Sequence, residues 1–295
     1  MKTTAAIALL YGIATVGYVN AETCYAVAFS GGKLNGAYQA GVVSGLVNNL
    51  PAEEVAYSSV SGVQSGALNG ALLSSFAVGD EKAAAEKLTQ FWQAAANTKL
   101  YQSWWGGLVE GLLTEGGLYD NSPMQDFFAD QFKDVKLQRD TFVGLTDLLK
   151  GDFKVLDNKD LAGKDLLSAM DASFTFPGVF PPAQAFGSEF YDGTTIYNLD
   201  IFSAVNECLA KPGVTESDVV VDVIMTSSSS LEKVDASKYT SISMLYRFLE
   251  ISSYYGSMDG LLRAKFAYKD VDFRHVVTPS KSLPWTFTPL DLTEA

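Results

Sequence analysis

The sequence is poor in the residues that build metal and disulfide scaffolds, with one histidine, His275, and two cysteines, Cys24 and Cys208. One His and two separated Cys fall short of the four-ligand zinc set, so no metal is expected. Two cysteines are also too few for a disulfide framework, although an oxidising compartment would let them pair. Basic residues are scarce too: 21 Lys and Arg stand against 34 Asp and Glu, a formal charge of −13. That balance argues against nucleic acid as a partner and against docking on anionic lipid, so any membrane contact has to be apolar. Internal repeats, linkers rich in Pro, Gly or Ser, and Asn-x-Ser/Thr acceptor sites are all missing. After residue 21 no run is long and apolar enough to span a bilayer.

The N-terminus reads as a cleaved signal peptide. Lys2 supplies a positive start, Ala5 to Val19 is uncharged and mostly apolar, and Val19-Asn20-Ala21 places small residues at the cleavage positions. The expectation is a leader over 1–21, a mature chain over 22–295 and a secreted or lumenal location. A membrane anchor is the competing reading, but the apolar stretch is short and Glu22 follows it. Removing Lys2 takes the formal charge to −14.

At 295 residues, 47% of them hydrophobic, the chain can bury a sizeable core. Strand-like and helix-like segments alternate, which predicts one α/β domain with a mostly parallel central sheet flanked by helices. Strands are expected at 25–30, 57–60, 141–145, 152–155, 219–225 and 273–277. Helices are expected at 36–49, from Ser65 past Leu73, and at 81–95, 123–132, 165–172 and 242–266. The aromatic and Gly-rich stretch 101–117 fits neither pattern. Its Trp104, Trp105, Leu108, Leu112 and Leu113 read either as core or as lipid-facing residues at the mouth of a pocket.

Three segments carry chemistry. Ser30-Gly31-Gly32-Lys33-Leu34-Asn35-Gly36 lies between a strand and a helix, where backbone N–H groups bind an anion or a developing oxyanion. It is no Walker loop, since no Gly-Lys-Ser/Thr closes it. It is no dinucleotide fingerprint either, because Lys33 sits at the second glycine position and no acidic residue ends the next strand. Ser61-Gly62-Val63-Gln64-Ser65-Gly66-Ala67 has the glycine spacing of a nucleophile elbow, with Gln64 at the apex and Ser65 one step beyond. Tyr191-Asp192-Gly193-Thr194 is an acidic turn, weak as a signal by itself.

In this order the three segments resemble the patatin-like lipid acyl hydrolases, from about Cys24 to Thr226. Gly36-Ala37-Tyr38-Gln39-Ala40-Gly41-Val42, Gly66-Ala67-Leu68-Asn69, Leu145-Thr146-Asp147-Leu148 and the run from Ala172 to Pro182 are similar as well. The resemblance implies a Ser–Asp dyad that uses no histidine and no cofactor. It places Asp192 at the dyad aspartate, Gly31, Gly32, Lys33 and Gly36 in the oxyanion loop, Gly193 beside the aspartate, and Gln64 where the nucleophilic serine belongs. Lys33 replaces a usual Gly, and Asn35 a usual Lys or Arg. An amide is no nucleophile at neutral pH, and losing one from such a unit costs on the order of 10⁶ in kcat. Two readings follow. One is a secreted pseudoenzyme that binds a lipid, an acyl ester or a protein partner without turnover. The other is a working hydrolase that uses Ser65, with Asp192, through a shifted elbow. Within such a fold the helix after Asp192 runs back across the sheet and brings Cys208 near Cys24. Two isolated thiols are the alternative.

Overall fold

The computed structural model describes residues 22–283. The expected leader, residues 1–21, lies outside the described residues, as does 284–295. In chain order the elements are β1 (Cys24–Phe29), α1 (Gly36–Asn49), β2 (Ser59–Val63), α2 (Ser65–Ser74), α3 (Glu81–Ala96), α4 (Gly107–Leu113) and α5 (Ser122–Phe132). Then come β3 (Asp140–Asp147), β4 (Asp152–Leu156), α6 (Lys164–Phe174), β5 (Ala183–Ala185), β6 (Ser188–Asp192) and α7 (Ile201–Ala210). The described chain closes with β7 (Val219–Ile224), α8 (Ser241–Ala267) and β8 (Asp272–Val277).

Five strands are parallel, in the order β3-β2-β1-β7-β8. β1 explains why its sequence is apolar without alternation. Val27 and Phe29 enter a core formed with α1, α2, α3, α5 and α6, while Cys24, Ala26 and Ala28 enter a second core under α7 and α8. A strand covered on both faces has no polar side to show. β2 is the exception, since its Ser59 and Ser61 are buried. Their hydroxyls donate to the backbone carbonyls of Ala204 in α7 (3.0 Å) and of Asp200 just before it, so no buried donor is wasted.

The antiparallel strands arrange the functional end. β3 pairs with β2 over Asp140–Gly144 and with β4 along its other edge. Beyond Val63 the chain of β2 leaves the sheet, and β6 takes over that edge, pairing Leu145 with Asp192 and Asp147 with Phe190. The last residue of β6 thus arrives beside the residue that follows β2. The sheet contains the hairpin β5–β6, which the sequence reading reduced to a turn around Asp192. The second strand begins at Ser59 rather than Tyr57. Tyr57 is buried outside the ladder, its hydroxyl donating to Asp222 Oδ2 at 2.6 Å. The unassigned stretch 101–117 holds the short helix α4. Cys24 and Cys208 form a disulfide between the start of β1 and the end of α7, with 5.7 Å between their Cα atoms.

Candidate functional site

Gln64 occupies the single residue between β2 and α2, with φ 56° and ψ −121°. Non-glycine residues rarely take such angles, and the surrounding packing has to impose them. The glycines on either side supply that packing. A Cβ on Gly62 would overlap the Gly66 carbonyl, and a Cβ on Gly66 would sit 2.6 Å from the carbonyl oxygens of Phe29 and Ser30. The turn is therefore as tight as the Gly-x-x-x-Gly spacing predicts.

The side chain of Gln64 is buried and bridges two parts of the site. Its Nε2 donates to Asp192 Oδ2 at 2.6 Å, and its Oε1 accepts from the backbone N–H of Lys33 at 2.7 Å. Asp192, fully buried, accepts in addition from the Thr194 N–H at 2.9 Å and from the Thr194 hydroxyl. Burial raises its carboxyl to about 6, against the pull of those hydrogen bonds and of the Lys33 charge. Burial likewise holds the Lys33 ammonium well below its ordinary value, opposed by the nearby Asp192. The Lys33 Nζ lies 4.1 Å from the ring centroid of Phe176.

The loop after β1 is fixed from behind. Gly31 N–H donates to the Asn198 carbonyl at 2.9 Å, and the Thr226 hydroxyl donates to the Gly31 carbonyl at 2.6 Å. Lys33 takes φ 55°, in the region that glycine enters freely. Ser65, which the sequence offers as a second candidate nucleophile, is fully buried at the start of α2, and its hydroxyl makes no hydrogen bond. It packs beside Gly36, whose added Cβ would come within 2.7 Å of the Ser65 Cβ.

Above Gln64 opens a cavity of about 850 Å³. Gly31, Gly32, Lys33, Gln64 and Thr194 form its floor. Apolar side chains of the proline turn (Phe176, Val179), α4 (Leu108) and α8 (Leu245, Phe248, Leu249) form its walls. Its charged residues are Lys33 and Glu250, and Glu250 is paired with Arg247 at 2.6 Å. Ser65 is not part of its lining. Among the described residues no group of three or more His, Cys, Asp or Glu could hold a metal ion.

The site thus gathers Gly31, Gly32, Lys33, Gln64, Asp192 and Gly193 at one end of the sheet, with Gly36, Gly62 and Gly66 packed behind. The sequence reading missed Thr194 as the holder of Asp192, Asn198 and Thr226 as anchors of the loop, and α8 as a wall. Thr194 was legible, because a hydroxyl two residues after an Asp closes a local turn onto it. Nothing in the sequence connects α8 to a loop two hundred residues earlier.

A search of curated proteins finds no match to the chain. Among solved structures, that of VipD from Legionella pneumophila aligns over 83% of this chain and 56% of that one, with 12% identity and a TM-score of 0.39. The chain thus spans little more than half the length of that protein. The sequence profile of the patatin-like phospholipases matches residues 27–205, more than half of the chain, and the chain belongs to that family.

Proposed function

We propose that this protein is a secreted acyl-lipid-binding member of the family whose hydrolytic site is silent, with Gln64 in the place of the nucleophilic serine. The observation that carries this reading is the double hydrogen bond of Gln64, to Asp192 and to the Lys33 N–H. The amide oxygen sits where an oxyanion loop would receive its substrate oxygen, and the amide nitrogen occupies the carboxylate that would act as base. Both halves of the machinery are engaged by a group that cannot attack an ester.

The shifted-elbow alternative requires Ser65 to reach both the cavity and Asp192. Its hydroxyl is buried and faces neither. The cavity itself suits an acyl chain, being mostly apolar with a few polar groups at its floor. Secretion rests on the leader signature of residues 1–21 and accords with the Cys24–Cys208 bridge. N-terminal sequencing of exported protein is expected to begin at Glu22, and a chain that still starts at Met1 in a membrane fraction would overturn the leader.

The test of function pairs two measurements on the full chain. Wild-type protein is expected to bind a fluorescent long-chain fatty acid yet to hydrolyse a short-chain nitrophenyl ester no faster than buffer. Gln64→Ser is expected to gain hydrolysis, and Ser65→Ala to change nothing. Wild-type hydrolysis abolished by Ser65→Ala would overturn the reading.

A further inference from the structure

We propose that the outer face of α8, together with α4, docks the protein on a lipid surface that carries no net charge. The proposal deepens the acyl-lipid reading by naming where the ligand comes from. α8 is apolar on two opposite sides. Leu261 and Ala264 pack into the core under the sheet. Met244, Phe248, Ile251 and Tyr255 recur at helical spacing on the other side, and all four are exposed. Leu262 and Phe266, also exposed, prolong the stripe to the end of the helix. On α4, Val109, Leu112 and Leu113 are each about two-thirds or more exposed, and Trp105 beside them is fully so. Scattered exposed apolar residues need no explanation, whereas a stripe that runs the length of a helix marks a contact surface.

Two observations choose the partner. The first is continuity with the cavity: Leu108 of α4 and Leu245 and Phe248 of α8 are exposed and also line it. An acyl chain leaving a lipid layer at this place meets apolar side chains from the surface to the Gln64 floor. The second is charge. On α8, Arg247 pairs with Glu250 and Arg263 with Asp259, each through a contact within one helical turn. The chain as a whole carries −13, which repels anionic lipid. No helix among the described residues is long and apolar enough to cross a membrane, so α8 would lie along the surface.

The experiment is flotation of the full chain with vesicles of phosphatidylcholine, and of phosphatidylcholine mixed with phosphatidylserine, at about 0.1 and about 1 M salt. Two double variants avoid the cavity lining, Met244→Glu with Tyr255→Glu and Leu112→Glu with Leu113→Glu. All four positions are exposed, and thermal melts confirm that the variants fold. Wild-type protein is expected to float with phosphatidylcholine at both salt concentrations and less with the anionic mixture. Each double variant should lower the bound fraction roughly tenfold or more, while binding of the soluble fatty-acid probe stays unchanged. Variants that float like wild type would overturn the proposal. So would a wild-type dimer that the variants dissociate, with no vesicle binding, since the stripe would then join two copies. Loss of probe binding in the wild type would instead sink the acyl-lipid reading, and flotation would still decide the docking surface.

Discussion

Among the described residues three non-glycine residues have positive φ, and two of them, Lys33 and Gln64, meet in a hydrogen bond that joins the loop to the elbow. Side chains at such backbone angles cost on the order of 1–3 kcal/mol each, so the site holds strain that the glycine packing around it must sustain. In Gln64→Ser the Lys33 N–H and Asp192 are released together. On the proposed reading Asp192 then serves as the base, and the serine hydroxyl takes the place of the amide as its hydrogen-bond donor. Its carboxyl, raised by burial to about 6 in the wild type, sets the acid limb, so kcat/KM of the variant should fall on the acid side with a midpoint near that value. A pH profile of ester hydrolysis checks this. Adding Lys33→Gly should raise activity further by relaxing the loop. Asp171 offers a test of stability away from the cavity. Burial raises its carboxyl to about 7, and its Oδ1 has no hydrogen-bond partner. The folded state therefore holds that proton more tightly than the unfolded chain, and stability is lost as pH climbs from about 4 through about 7. Asp171→Asn lacks this loss. Denaturant unfolding should show the variant more stable at about pH 8, by on the order of 2–4 kcal/mol, with little gain at about pH 4.

Elements show why some of this was legible beforehand and some was not. The sequence places β1, α1, α3 and β7 within a residue or two, because strands buried on both faces show as short apolar runs and amphipathic helices write their period into the sequence. The hairpin β5–β6 was missed for a local reason. Its two-residue loop is Phe186-Gly187, with φ 50° and 73°, a pair of positive angles that usually announces itself as Asn-Gly or Asp-Gly. Phe186 holds that place with its ring centroid 6.0 Å from that of Phe190 in the same hairpin, a local contact that no turn signature announces. α4 escaped because its leucines face outward, so no core-facing stripe marks it. The three chemistry-bearing segments were legible because glycine spacing is a steric demand. That demand can be measured by contrast. Gly62→Ala drives a Cβ into the Gly66 carbonyl, where no rotamer gives relief, and should destabilise by about 1–3 kcal/mol or abolish soluble expression. Gly45→Ala, in α1 with open space around it, should stabilise by up to about 1 kcal/mol through helix propensity alone. Thermal melts of the two variants should move in opposite directions.

For the whole molecule, the sheet divides the interior into two cores, and the disulfide ties the smaller of them together. Cys24 opens β1 and Cys208 lies near the end of α7, both buried among Val205, Val219 and Val221. The bridge spans 184 positions and closes a loop that contains most of the larger core and the three chemistry-bearing segments, leaving Thr226 and the α8 wall outside it. In the unfolded chain such a loop removes much freedom, worth roughly 3–5 kcal/mol in the loop-entropy picture. For a chain of this size that corresponds to a fall in Tm of about 6–15 °C when the bridge is removed. The double variant Cys24→Ala with Cys208→Ala, melted beside the wild type, should show it. Adding reductant should lower the wild-type Tm toward the variant value and leave the variant unchanged. Because the bridge sits at the opposite end of β1 from the loop that faces Gln64, fatty-acid binding at low temperature should survive its loss. A variant that melts like the wild type would mean that packing around Val205 and Val219 holds that core without the bond.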